Sequence, residues 1–187
     1  KLIPFLENGE KTYKAKFLLG VTTDTLDIEG TVLSQVETEE FDKAFIEEKL
    51  NKFKGKITQR IPVYSSKKVN RKPLYKLTRK GITVEPQLKD VEIFSIKLHD
   101  YTHPYLDVEV RCSKGTYIRA LSQEFGADLG CGSTLYSLKR TKHGDFTEDM
   151  SVNIEHFKIE QDVLHYAMSL EKILKSFRET IVETALE

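Results

Sequence analysis

Apolar and polar residues alternate along Lys11–Leu19, where Tyr13, Ala15, Phe17 and Leu19 are interleaved with Thr12, Lys14 and Lys16. A period of two predicts a strand with one buried face, and Gly20 ends it. Residues 22–30 read Thr-Thr-Asp-Thr-Leu-Asp-Ile-Glu-Gly, a composition that predicts a loop held by side-chain caps. Thr38 has the character of a helix N-cap with Glu39 and Glu40 in the first turn. Beyond it Phe41, Phe45, Leu50 and Phe53 recur at helical spacing as far as Gly55. A second, short helix is predicted over 74–80, closed by Gly81. The runs 91–98 and 106–112 alternate again. The turn-prone residues 99–104 between them predict two adjacent antiparallel strands. Ile118, Leu121 and Phe125 mark one face of a helix ending at Gly130, and 135–140 predicts a further strand. Near the end, from Gln161, residues Leu164, Ala167, Met168, Ile173 and Leu174 fall at helical spacing. Strands and helices interleave without internal repeat, which defines an α+β body.

At 187 residues and 39% hydrophobic content the chain is long enough for one substantial core. No apolar run approaches the roughly 18 to 20 residues that span a bilayer, and the start Lys1-Leu2-Ile3-Pro4-Phe5 is too short for a signal peptide. No membrane role and a cytoplasmic location are expected. The two cysteines, Cys112 and Cys131, are too few for a disulfide framework or a self-contained zinc site, and read as buried free thiols. No metal site is expected.

The formal net charge of zero hides an uneven distribution. Residues 52–80 hold eleven of the 29 basic residues and none of the 29 acidic ones. One stripe is positive while the body is negative, which points to a polyanionic partner. Within the stripe, Ile61-Pro62-Val63-Tyr64 and Pro73-Leu74-Tyr75 set aromatic and apolar groups among the charges. Stacking surfaces beside cations suit looped RNA better than a solubilising tail.

Candidate chemistry is densest at Arg111-Cys112-Ser113-Lys114-Gly115-Thr116-Tyr117-Ile118-Arg119. The segment runs from a strand end through a glycine turn into a helix, where backbone amides are open and side chains project beyond a rigid sheet. Its Lys-Gly-Thr lacks the glycine spacing of a P-loop, which excludes an NTPase reading. On pattern alone, Tyr13 and Leu138 are core positions, Tyr117 and Arg119 are structural, and Asp24 and Asp27 cap turns.

Taken with its surroundings, however, this segment resembles the TruB family of tRNA pseudouridine synthases. Leu129-Gly130-Cys131-Gly132 and Leu138-Lys139-Arg140-Thr141-Lys142-His143-Gly144 follow it in the family's order. Lys11-Thr12-Tyr13 resembles the family's Lys-x-Tyr strand, Asp24-Thr25-Leu26-Asp27 with Gly30 its Asp-Thr-x-Asp-x-x-Gly loop, and 59–81 its T-arm-binding thumb. The resemblance covers about residues 1–150.

It implies a pseudouridine synthase fold: a mixed, largely antiparallel sheet flanked by helices, with a basic thumb insertion at about 56–81. Residues 1–152 would form the catalytic domain and 153–187 a helical extension of it. The implied reaction isomerises uridine 55 of the tRNA T loop by base flipping, without a cofactor. Tyr13 matches the family's active-site tyrosine, which stacks on the flipped base with its hydroxyl placed for proton transfer. Arg119 matches the arginine that pairs with the nucleophilic aspartate. Tyr117 and Leu138 match residues shaping the uracil slot, and Asp24 matches an auxiliary acidic residue. Lys67, Lys68, Arg71 and Lys72 would meet phosphates of the T stem-loop.

The family's nucleophile lies in a Gly-x-Leu-Asp-Pro motif upstream of the Lys-x-Tyr strand, and the 187 residues contain no such sequence. A segment carrying that motif is the one further protein part expected to be required, and without it the chain is expected to be inactive. The PUA-type RNA-binding module that many relatives carry at the C-terminus is expected to be absent or reduced to the final helix. Two other readings follow from the residues. One is a catalytically silent module that binds structured RNA; the other is a plain interaction scaffold, which leaves the basic stripe and its aromatics unexplained.

Overall fold

Every second side chain of Lys11–Leu19 turns toward the core, and Ala15, Phe17 and Leu19 are buried there. This strand, β1, lies near the middle of a six-stranded sheet and pairs antiparallel with Tyr105–Cys112 on one side and Ser133–His143 on the other. The computed structural model describes residues 9–69, 71–82, 84–167 and 169. They form two compact units divided between Glu148 and Asp149.

In the first unit, two short strands, β2 (Val21–Thr23) and β3 (Val32–Gln35), make a hairpin around the 24–30 loop. Helix α1 (Lys43–Asn51) leads to β4 (Gly55–Arg60). A two-residue ribbon, β5 (Lys68–Val69) with β6 (Lys72–Pro73), and α2 (Leu74–Thr78) make up the thumb. Then come β7 (Leu88–Thr102), β8 (Tyr105–Cys112), α3 (Ile118–Leu129), β9 (Ser133–His143) and β10 (Phe146–Thr147). The sheet order is β10-β9-β1-β8-β7-β4, and each of these neighbours pairs antiparallel.

Directly opposed residues point to one face. Phe17 opposite Leu106, Ala15 opposite Val108 and Tyr13 opposite Val110 therefore line the face where the core forms. Ile46 and Leu50 of α1 and Ile118, Leu121 and Phe125 of α3 complete that core. Phe125 has its ring centroid 6.3 Å from Phe17 and 6.1 Å from Phe53. Full burial of Phe17 and of Phe125 contributes about 1.5–3 kcal/mol each. α3 ends at Gly130 in the left-handed conformation (φ 80°). One turn earlier Gly126 lies so close to the start of β9 that a Cβ there would stand 2.2 Å from the Ser133 nitrogen.

Several boundaries differ from the sequence expectation. The first helix starts at Lys43 with Asp42, not Thr38, as its cap: Asp42 Oδ1 accepts from the Ala44 and Phe45 amides at 2.8 and 3.2 Å. The Phe41 amide is engaged elsewhere, donating to the Tyr101 hydroxyl at 3.0 Å, which keeps 38–41 out of the helix. Phe45 is 39% exposed, and Ile46 takes the buried place. β4 was not legible because its inward positions are Ile57 and the polar Gln59. β7 is longer than the alternating run because register shifts between Ile93 and Ser95 and between Leu98 and Asp100 break its period. Both cysteines are free; Cys112 is buried and Cys131 half-buried, and burial pushes both thiols up.

A 3₁₀ turn at Glu148–Met150 spans the division, and the second unit contains a 3₁₀ turn at Ile154–His156 and a helix, α4, at Glu160–Tyr166. Asn153 caps the second turn by accepting from the Glu155 amide at 3.0 Å. The predicted helical positions Met168, Ile173 and Leu174 lie outside the described residues.

On α3, burial pushes the Glu124 carboxyl up, against the opposing pull of the Arg60 backbone amide it accepts from and of the Arg60 guanidinium. Between the ordinary and the raised value, the folded chain keeps a proton that the unfolded chain has lost. Stability from this group therefore falls as pH rises through that window. Glu124→Gln keeps an acceptor for the amide and removes the titration. It should raise Tm by roughly 2 °C at pH 8 and by less at pH 4, as read by thermal unfolding across that range.

Candidate functional site

Arg119 belongs to the first turn of α3, and two other segments, the 24–30 loop and the root of the thumb, converge on its guanidinium. Nη1 donates to the Thr25 carbonyl at 3.0 Å and to Asp27 Oδ2 at 2.9 Å, and Nη2 donates to the Tyr64 carbonyl at 3.0 Å. The two charged side chains are 23% and 25% exposed, shielded from bulk water yet open to a ligand. An arginine has five N–H donors. Nε–H and the second Nη2 hydrogen of Arg119 thus have no partner among the described residues.

Asp27 is fixed from its other side. Its Oδ1 accepts from Thr25 Oγ1 at 2.7 Å, and its carbonyl accepts from Thr23 Oγ1 at 2.7 Å. The loop is then stitched to β9: Ile28 N–H donates to the Leu135 carbonyl at 2.9 Å, and Leu135 N–H donates to the Leu26 carbonyl at 3.1 Å. Between Thr25 and Asp27, Leu26 adopts a left-handed backbone (φ 67°). That conformation costs a non-glycine residue about 1–3 kcal/mol and persists because the flanking bonds over-determine it. Asp24 has a different task, accepting from the Thr31 amide at 2.8 Å to close the loop. The carboxylate that meets Arg119 is therefore Asp27, which sequence reasoning treated only as a turn cap.

Tyr13, Leu138 and Arg140 form a second cluster on the core face of the sheet. Leu138 is opposite Ala15 and Arg140 opposite Tyr13. A register shift between Lys16 and Phe17 lets Leu135 and Leu138 share that face although they are three residues apart. Leu135 is buried at 4%, whereas Leu138 is 46% exposed and available to a ligand. Burial raises the Tyr13 hydroxyl, Cys112 adds to the shift, and the Arg140 guanidinium hydrogen-bonded to the phenol opposes it. The phenol stays protonated at neutral pH, able to donate as well as accept. Tyr117 precedes α3 and is half-buried.

In the thumb, Lys67, Lys68, Arg71 and Lys72 are all exposed along the β5–β6 ribbon. No carboxylate pairs with any of them among the described residues. Leu74 anchors the ribbon, buried at 2% with its amide donating to the Lys67 carbonyl at 2.8 Å. A separate cleft lined by Glu47, Leu50, Asn51, Lys54 and Ile96 to Leu98 includes none of these groups.

The antiparallel sheet with α1 and α3 packed on one face has the pseudouridine synthase fold. A solved Cbf5-Nop10-Gar1 complex superposes on 91% of this chain with a TM-score of 0.65 at 20% identity, using 45% of the matched chain. The archaeal box H/ACA Nop10-Cbf5 complex gives a TM-score of 0.55 over 89% of this chain and 37% of that one, at 18% identity. At the sequence level, residues 1–118 match the TruB family pseudouridylate synthase (N terminal domain), and the chain belongs to the TruB family. It is 37% identical over 183 residues to a tRNA pseudouridine synthase B of Clostridium tetani, covering 98% of this chain and 63% of that protein. A tRNA pseudouridine synthase B of Syntrophus aciditrophicus is 42% identical over 155 residues, 83% of this chain and 49% of its own length. The chain thus spans less than two thirds of these relatives.

The two loop carboxylates should separate by mutation. Asp27→Ala removes the carboxylate that accepts from the Arg119 guanidinium and the Thr25 hydroxyl, leaving each only backbone carbonyls, and should cost about 1–3 kcal/mol. Asp24→Ala removes a single exposed turn bond and should cost about 0.5–1 kcal/mol. Urea unfolding of both variants measures the difference, and a larger loss for Asp24→Ala would contradict these roles.

Proposed function

We propose that this chain is the uridine-isomerising part of a tRNA pseudouridine synthase acting on the T loop. The observation that carries the reading is the 2.9 Å bond from Arg119 Nη1 to Asp27 Oδ2. It joins the strand–turn–helix motif and the Asp-Thr-x-Asp loop, 92 residues apart, into one site. The relatives' name, tRNA pseudouridine synthase B, supports the same activity.

In this scheme a uridine leaves the T-loop stack and enters the slot beside Tyr13, Tyr117 and Leu138. Its glycosidic bond breaks with participation of a carboxylate, the uracil turns, and a carbon–carbon bond to the ribose replaces the carbon–nitrogen bond. Arg119 suits the carboxylate because Asp27 and two carbonyls already fix its plane while two N–H groups stay uncommitted. Tyr13, protonated and half-buried, can stack on the base and exchange a proton with it. The thumb cations supply phosphate contacts. No cofactor takes part, and the expected setting is the cytoplasm. One observation favours a second reading, RNA binding without turnover: the thumb cations Lys67, Lys68, Arg71 and Lys72 are exposed and no carboxylate pairs with them among the described residues. The active protein should convert a T-arm hairpin in the presence of chelator, and binding without conversion would favour the second reading.

Two variants of the active chain test the assignment. Arg119→Lys exchanges a planar fork for a mobile point charge and should lower the single-turnover rate about ten- to a hundredfold with little change in RNA affinity. A near-normal rate would remove Arg119 from the site. Replacing Lys67, Lys68, Arg71 and Lys72 with alanine should weaken hairpin binding. Each lost phosphate contact should flatten the log–log salt dependence by about 0.7 to 0.9, and an unchanged slope would detach the thumb from the RNA backbone.

A further inference from the structure

α3 starts at a residue poorly suited to starting a helix. Tyr117 is its N-cap, with extended backbone (φ −102°, ψ 104°), and makes no side-chain bond to the first-turn amides. The entry is fixed from outside instead. Gln59 of β4 is fully buried at 0% exposure, and its side-chain amide grips the Tyr117 residue at both backbone groups. Tyr117 N–H donates to Gln59 Oε1 at 3.0 Å, and Gln59 Nε2 donates to the Tyr117 carbonyl at 3.4 Å. The same carbonyl accepts the first helical bond, from Leu121 N–H at 3.1 Å. The adjacent strand residue adds a second tie, its backbone amide donating to the Glu124 carboxyl. Two consecutive residues of β4 therefore hold α3, one at its start and one almost two turns further on.

A buried amide is costly unless its donor and acceptor are both engaged, and here both are engaged with one residue. Arg119 is two positions beyond it. Each residue advances a helix by 1.5 Å with 3.6 residues per turn, so a slip or rotation of the helix start displaces the guanidinium from Thr25, Asp27 and Tyr64 together. We propose that Gln59 is a positioning residue of the site: by clamping the Tyr117 backbone it sets the start of α3 and thereby the direction of Arg119. For its catalytic consequence the inference rests on the function proposed above.

The test uses the full natural chain and three variants. Gln59→Met keeps side-chain length without donor or acceptor. Gln59→Glu keeps the acceptor for Tyr117 N–H but sets a second oxygen against the Tyr117 carbonyl. Ile93→Val weakens the core of the same sheet without touching this contact. Amide exchange at Tyr117, single-turnover pseudouridine formation and hairpin affinity are measured for each. Both Gln59 variants should lower the single-turnover rate roughly tenfold with affinity within about twofold, and Gln59→Met should also speed Tyr117 exchange. Ile93→Val should change neither the rate nor Tyr117 exchange, whatever its Tm. Unchanged Tyr117 exchange in Gln59→Met would overturn the clamp, and a normal rate or a defect confined to affinity would overturn the link to Arg119. Should Gln59→Met fail to fold, Gln59→Glu decides the link by the same rate and affinity criteria. A wild-type chain that makes no product would sink the proposed function instead, and Tyr117 exchange would still decide the clamp.

Discussion

The seating of α3 on the sheet is the constraint from which the site follows. Leu121 and Phe125 are completely buried between the sheet and α1, and the Phe125 ring touches both Phe17 of β1 and Phe53 beyond α1. On the opposite flank Gly126 admits the backbone of β9, and Ser122 Oγ lies 2.9 Å from Ser133 Oγ in the buried seam. A helix held at such close range has little freedom to roll, because protein interiors are packed at crystal-like density. Its first turn consequently presents Arg119 to the loop and the thumb root in one orientation.

Arg119 in turn ties together parts of the chain that the hydrophobic core does not reach. The Thr25 and Asp27 loop, the Tyr64 root of the thumb and the helix all meet at one cation. Charge-assisted bonds of this kind are shorter and stronger than neutral ones. The loop needs this external bracing, since Leu26 keeps a backbone conformation that local preferences disfavour. Site geometry and loop geometry are therefore two outcomes of one contact.

Charge is organised on a larger scale as well. On the sheet face away from the helices, Lys16 pairs with Asp107 at 3.0 Å, and Arg111 pairs with Glu10 at 3.3 Å. These surface pairs add little stability but balance the charges of the residues that make them. The thumb has no such compensation: its exposed cations have no acidic partner among the described residues. A chain of zero net charge thus holds one region with an unbalanced positive field, and that field is what a polyanion meets first.

Period-two alternation alone located β1 and the β7–β8 pair, and helical spacing with Gly130 located α3, because those elements bury one regular apolar face. The motifs around Tyr13, residues 24–30 and residues 111–119 identified the family, since residue type and order survive without coordinates. β4 escaped because its innermost position is a glutamine, which reads as surface until its amide is seen against Tyr117. The helix cap at Asp42 escaped because Thr38 has equal capping chemistry, and only the Tyr101 hydroxyl on the Phe41 amide excludes it. Asp24 and Asp27 are the same residue type in one loop, three positions apart. Pattern alone assigns both to turn capping, and the family resemblance adds an auxiliary acidic role for Asp24; the approach of a helix from 92 residues away gives Asp27 an ion pair and leaves Asp24 a turn bond. Local pattern determined which residues are available to the site, and tertiary packing decided which of them meet, because a contact between distant segments leaves no trace in local periodicity.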